Sequence, residues 1–350
     1  MIATPEALNE FVATIAPHDR VAIDTEADSL HCYFEKLCLV QVSLPGQDVL
    51  IDPLAGFSLE PLFHALQGKE LILQGADFDL RLLRRSGGME AERVFDTMIG
   101  ARLAGKLEFS LAALVQQYFG ITLAKSSQKE NWARRPLTDK MMDYAANDTR
   151  YLLPLAEKLE GELRALGRWE WFVQSCAKAV QTSKITRERD IENLWRISGS
   201  VELRGRASAL LRALWNWRDE EAKAVDRPPF HILRNEELIE AARRFDAGER
   251  VSYRHLSGSR AKRFYAAAET ALALPQNEWP VILRRARARP TPEEERRFLE
   301  LKKKRDAAAT GLNLDPSLIA PKATLEALAA DPAAASERLL PWQQELLSRE

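Results

Sequence analysis

Val21-Ala22-Ile23-Asp24-Thr25-Glu26 is the stretch that decides the fold of this 350-residue chain, an apolar run of strand-forming character that ends in two carboxylates. Residues two apart in a strand share a face, so Asp24 and Glu26 point one way while Val21, Ile23 and Thr25 point the other. Two like charges held that close repel. A cation must compensate them, supplied either by the rest of the chain or as bound metal.

Working outward, the runs Leu37–Ser43 and Asp48–Asp52 are rich in β-formers and follow over short links, which predicts an antiparallel meander. A helix over 59–66, a short strand from Glu70 to Gln74 and a helix from Ala76 to the Gly87-Gly88 stop come next. Val94–Thr97 reads as a last strand running into a helix, and helical periodicity then covers 110–119 and 138–166. Strands with helices packed around them indicate an α/β domain with a mixed central sheet. From Trp169 onward the pattern is helical throughout, at 204–224, 235–245, 260–272 and 292–309, so the second half is expected to be all-α. The expected divisions are a first domain over 1–166, a helical linker over 167–202, a helical domain over 203–286 and a second, truncated helical region over 290–350.

Composition narrows the class. The chain is 46% hydrophobic and 29% charged, the composition expected of a soluble globular protein, with no apolar run long enough to cross a bilayer as a helix. The first residues carry neither a basic segment nor an apolar one of the secretory kind, so a cytoplasmic location is expected, with no membrane partner. Cys32, Cys38 and Cys176 form an odd set without zinc-finger spacing and read as reduced thiols. The net charge of −1 hides an asymmetry: residues 1–165 hold 17 Lys/Arg against 24 Asp/Glu, and residues 166–350 hold 33 against 27. An acidic first part that concentrates cations, joined to a basic second part that favours polyanions, fits that division.

The chemistry centres on acids. Asp79 sits one turn into the helix that leaves the strand at Gly75, a place from which a carboxylate leans over a sheet edge. Tyr144 and Asp148 are four apart in one helix and share its face. Asp24, Glu26, Asp79 and Asp148 together suffice to hold two hard divalent cations, Mg²⁺ or Mn²⁺, through oxygen ligands. Such a pair serves phosphoryl transfer, and Tyr144 would position the attacking water. No histidine ligand set, glycine-rich phosphate loop or Ser/His/Asp spacing competes.

These residues fall in an order that resembles the ribonuclease D family of 3′-to-5′ exonucleases, which share a ribonuclease-H-like fold and four metal-binding acids. The three motifs are DTEADSLHCYFEKLCLVQVS, ILQGADFDLRLL and YAANDTRYLLPL, and VFDTMIGARLAG and SLAALVQQYFGI between them follow the family too. By position, the resemblance assigns metal binding to Asp24, Glu26, Asp79 and Asp148 and a water-orienting role to Tyr144. A sister group carries His five residues before the last acid, where this chain has Asp143, so the tyrosine-type site is indicated. Asp77 is a rival for the second-motif acid, and its spacing from Gln74 favours Asp79 instead.

Further along, LLRALWNWRDEEAKAVDRPPFHILRNEELIEAARR resembles the helical HRDC domain, and residues 292–350 resemble a second one in truncated form. A basic exterior that includes Arg254, Arg260, Lys262, Arg263, Arg284 and Arg285 is read as a phosphate-binding surface. The resemblance implies an exoribonuclease releasing nucleoside 5′-monophosphates from RNA with a single-stranded 3′ end, tRNA precursors in particular. The same acids would also hydrolyse DNA, and an adaptor that binds RNA without cutting it would be marked by a lost acid. None is lost here.

Overall fold

The computed structural model describes residues 1–124, 127–185, 190–281 and 290–348. Helix α1 (Pro5–Ile15) leads into β1 (Arg20–Ala27), β2 (Leu37–Leu44) and β3 (Gln47–Ile51), followed by α2 (Glu60–Leu66), β4 (Glu70–Leu73), α3 (Asp77–Gly87) and β5 (Arg93–Asp96). Helices α4 (Thr97–Leu103), α5 (Leu111–Phe119), α6 (Asp139–Arg150), α7 (Leu152–Ala165) and α8 (Trp169–Lys184) come next. The chain continues through α9 (Arg206–Ala224), α10 (Pro229–Ile232), α11 (Asn235–Asp246) and α12 (Gly258–Leu272). It closes with α13 (Pro292–Leu312), α14 (Pro316–Ile319), α15 (Lys322–Ala330), α16 (Ala335–Arg338) and α17 (Pro341–Ser348).

The five strands form one sheet in the order β3-β2-β1-β4-β5. β1, β2 and β3 pair antiparallel as the expected meander, whereas β4 and β5 run parallel to β1, so the sheet is mixed. β2 is buried along its whole length, which is why LCLVQVSL reads as a run of β-formers without alternation. Strand alternation then sorts the core. Val21 and Ile23 join Leu8, Leu62 and Leu83 of α1, α2 and α3 on one face, while Ala22, Ile72 and Phe95 meet α4, α7 and α8 on the other.

Contacts divide the chain into two compact units, Met1–Ala27, Leu37–Thr186 and Arg287–Glu350 in the first, Asp28–Lys36 and Arg187–Ala286 in the second. The first unit therefore takes in stretches that the sequence reading set apart. Phe172 and Cys176 of α8, together with Ile319, Trp342 and Leu346 near the carboxyl end, share one core with Leu155 and Leu159 of α7. Arg168 ties that arrangement. Nine-tenths buried, it donates to the carbonyl oxygens of Leu103 at 2.7 Å and Leu312 at 2.5 Å, the last residues of α4 and α13. Those carbonyls are among the four that every helix leaves without an internal partner, and a cation at a helix C-terminus also suits the dipole. Gly105 lets the two ends approach, since a Cβ there would lie 2.8 Å from the Asn313 carbonyl oxygen.

One expected helix is two. The 138–166 segment breaks at Tyr151, between α6 and α7. Pro154 explains it, because its ring lacks an N–H and collides with the carbonyl four residues back, that of Arg150.

In the second unit α9 packs against α11 and α12 around Leu210, Leu214, Trp217 and Phe264. Trp217 is buried, as a core role requires. The segment Asp28–Lys36, which joins β1 to β2, belongs to this unit. The Tyr33 hydroxyl donates to Asp219 at 2.8 Å, and the backbone amides of Tyr33 and Phe34 both donate to Asp226 Oδ1 at 3.0 Å. Among the described residues no helix is long and apolar enough to cross a membrane.

The Arg168 clamp generates a stability prediction. Arg168→Met keeps the apolar stem and strands two helix-end carbonyls, so urea unfolding is expected to show a loss of about 2–3 kcal/mol. An unchanged midpoint would remove the clamp from the account of how the carboxyl-terminal helices are held.

Candidate active site

Asp24 and Glu26 leave β1 on the face that α6 covers, and α6 brings Asp148 over them. One carboxylate oxygen from each of Asp24, Glu26 and Asp148 can be chosen so that all lie within 4.8 Å of one another, with each side chain partly open to solvent. α6 is positioned by Thr138, whose hydroxyl caps the Met141 amide at 3.3 Å, and by its apolar face of Met141 and Ala145, which packs on Leu39, Leu50 and Trp132. The Trp132 ring lies 6.1 Å from that of Tyr144 and braces it.

Asp79 arrives from the other side of the sheet. Thr25, whose side chain alternates away from Asp24 and Glu26, donates its hydroxyl to Asp79 Oδ1 at 2.5 Å. The start of α3 is fixed by Asp96 at the end of β5. Its carboxylate accepts the backbone amides of Gly75 at 3.0 Å and Ala76 at 2.9 Å while capping α4 through Met98 and Ile99. Gly75 has φ +77°, and a Cβ there would overlap the Met98 methyl, so this turn is built for glycine. One buried acid thus sets where the helix carrying Asp79 begins.

Electrostatics follow from this crowding. Burial first, and then the charges of Asp79, Asp148 and Glu26, hold Asp24 well above the ordinary carboxylate range. Burial with the charges of Asp148 and Asp79 pushes Glu26 up to about 9. Burial lifts Asp148 to about 7 against the opposing effect of the neighbouring Tyr144 hydroxyl, and lifts Asp79 to about 6 against the Thr25 hydrogen bond. Burial and the same acids raise Tyr144 far above its usual value. Among the described residues no cation is paired with these acids, so protons satisfy them until a cation displaces the protons, which is what a cation-binding site requires.

Asp24, Glu26, Asp79, Asp148 and Tyr144 therefore converge. Asp77 does not join them: it is exposed and held by Arg81, four residues on, at 2.8 Å. Of the basic residues read as a phosphate surface, Arg254 and Lys262 are exposed in the second unit. Arg260 and Arg263 are engaged there by the buried Glu221, Arg260 at 3.1 Å. Arg284 and Arg285 lie outside the described residues. Three contributors escaped the sequence reading. Asp96 and Thr25 lie within or beside the quoted motifs, but their roles depend on partners 20 and 54 residues away, a distance that local spacing does not report. Glu221 was hidden in the same manner.

Comparison with known proteins agrees with this geometry. Residues 1–164 match the family model described as 3′-5′ exonuclease, and residues 207–247 match that of the HRDC domain. Ribonuclease D of Jannaschia sp. (strain CCS1) is 31% identical over 296 residues, covering 80% of this chain and 76% of that protein. A crystal structure of a protein from Bifidobacterium adolescentis superposes with a TM-score of 0.84 at 27% identity, covering 99% of this chain and 94% of that one. The crystal structure of Escherichia coli RNase D, described as an exoribonuclease involved in structured RNA processing, gives a TM-score of 0.72 at 27% identity over 99% of this chain and 95% of that one. Sequence shared over four-fifths of its length, and backbone shared over nearly all of it, mean that the chain belongs to the ribonuclease D family.

Proposed function

We propose that this 3′-to-5′ exoribonuclease removes nucleotides singly from RNA with a free single-stranded 3′ end, tRNA precursors among them, and releases nucleoside 5′-monophosphates. In this reading Asp24, Glu26, Asp79 and Asp148 hold two divalent cations, Mg²⁺ or Mn²⁺. The observation that carries it is the approach of Asp24, Glu26 and Asp148 to within 4.8 Å. The donor set fits hard cations, since among the described residues every ligand atom offered is a carboxylate oxygen and no cysteine or histidine joins the group. When bound, divalent cations supply Lewis acidity to a water and to the departing 3′ oxygen.

The rest is the work of the chain's own residues. Tyr144 stays protonated at any physiological pH because burial and the acids around it raise its pKa. It is thus an orienting hydroxyl for the attacking water, not a base. Thr25 keeps Asp79 from turning away, and Trp132 keeps the tyrosine ring in place. The exposed Arg254 and Lys262 offer charge to backbone phosphates.

On a 5′-labelled RNA hairpin with a 3′ tail, the protein is expected to give a ladder shrinking from the 3′ end that EDTA abolishes, and a much weaker one on the DNA counterpart. Asp24→Ala and Asp148→Ala should each cut turnover by at least about 10³-fold, and Tyr144→Phe by about 10²-fold, with RNA affinity largely kept. Normal turnover in either acid variant would end the cation-site reading.

A second prediction concerns pH. Carboxyls whose folded pKa lies above the unfolded value near 4 bind more protons folded than unfolded, so ionising them costs stability. In EDTA this cluster should therefore erode stability progressively as pH rises from about 4 through the values near 6, 7 and 9 for Asp79, Asp148 and Glu26. Cations compete with those protons, so the Tm increase caused by Mg²⁺ should widen between pH 5.5 and 8.5. A Tm increase as large at the lower pH would contradict the assignment.

Finally, replacing Arg254 and Lys262 together by Ala should weaken RNA binding measured by anisotropy. It should also reduce the slope of log K against log salt by about 1–2. An unaltered slope would remove both residues from the phosphate surface.

A further inference from the structure

Gln41 stands directly across from Asp24 in the antiparallel pairing of β1 with β2. Side chains of such partners leave the same face with their Cβ atoms about 4.5–5.5 Å apart. The neighbours two residues away on β2 identify that face. Ser43 Oγ meets Thr149 Oγ1 at 2.7 Å, and Leu39 packs with Met141 and Ala145. Gln41 therefore lies beneath α6, the helix that carries Tyr144 and Asp148.

Its side chain is fully buried, and among the described residues neither Oε1 nor Nε2 has a hydrogen-bond partner. A carboxamide in that condition is destabilising, and an apolar residue of similar shape would fill the space without the penalty. Asp24 shows the complementary need. Asp79 receives the Thr25 hydroxyl and Asp148 faces that of Tyr144, whereas the hydrogen bonding that favours ionised Asp24 comes from the Thr25 backbone.

We propose that Gln41 is a positioning residue for the cation site. Its Nε2–H donates to the Asp24 carboxylate, directly or through one water, once that carboxylate is ionised on a divalent cation, and so fixes which oxygen faces the ion. Partners of this kind, one bond removed from the metal, orient ligands and sustain affinity. The inference rests on the reading of the four acids as a cation site.

The test uses the full chain and titrates Mn²⁺ alone by calorimetry at pH 8, with thermal unfolding in EDTA measured in parallel. Gln41→Met removes both polar atoms and keeps the volume, and Gln41→Asn keeps a carboxamide but withdraws it by one methylene. We expect Gln41→Met to be at least as stable as the parent in EDTA while binding Mn²⁺ about tenfold more weakly. Gln41→Asn should also bind more weakly, and it carries the test should the methionine variant not fold. A side chain that only filled space would give the same stability result with Mn²⁺ affinity unchanged, and that outcome in either folded variant overturns the proposal. If the parent itself binds no Mn²⁺, the cation-site reading fails and Gln41 falls with it. Parental binding matched by the variants defeats Gln41 alone.

Discussion

The enforced burial and crowding of four carboxylates is the constraint around which this structure is arranged. Asp24 and Glu26 are forced together by the two-residue period of a strand, and they cannot separate without breaking the pairing of β1 with β2 at Gln41 and Leu39. Asp148 is lowered onto them by a helix whose apolar face is already spoken for by Leu39, Leu50 and Trp132. Asp79 is delivered by a helix whose first turn is anchored to Asp96. Each acid is thus placed by packing or hydrogen bonding that has nothing to do with its charge. The fold supplies rigidity, and the unfavourable electrostatics left over are what, in the proposed reading, a cation would relieve.

How much of this was legible in the sequence depended on the range of the interaction that decides it. β1, the meander and the tyrosine/aspartate pair on α6 are written in spacings of two and four, and they were read correctly as elements. The mixed sheet and the helical second half followed from those periods. Asp77 and Asp79 are two apart at the start of one helix, and the periodicity itself treats them alike; what separates them is Arg81 at i+4 for one and Thr25 from another strand for the other. The break at Tyr151 was also local, and the proline three residues later announces it, but the apolar stripe running through 138–166 obscured the signal.

What stayed illegible is long-range. Residues 290–348 look from their spacing like a separate helical region, because amphipathic helices announce that they need a partner and not which one. The partner proves to be α7 and α8, brought close by Arg168. The segment Asp28–Lys36 shows the same limit from the other direction. It begins two residues after Glu26 in the chain, yet its tertiary hydrogen bonds go to Asp219 and Asp226, nearly two hundred residues on. The loop that follows the first acids is therefore tied by at least three hydrogen bonds to residues far along the chain, which no local spacing announces.

The same reasoning revises where attraction for a polyanion resides. A count of arginines treats every cation on the second unit as available. Glu221 is almost wholly buried, however, and an acid in that position requires charged partners, which Arg260 and Arg263 provide. The trio carries one net positive charge instead of two, and its guanidinium donors are partly consumed holding α12 to α9. Arginines committed in this way follow a phosphate backbone only by giving up part of their hydrogen bonding to a buried carboxylate. In the proposed reading, exposed cations such as Arg254 and Lys262 are the ones that would release counterions on binding RNA. Charge asymmetry between the halves of the chain is therefore a real property of the sequence, but fewer of the basic residues are uncommitted than their total suggests.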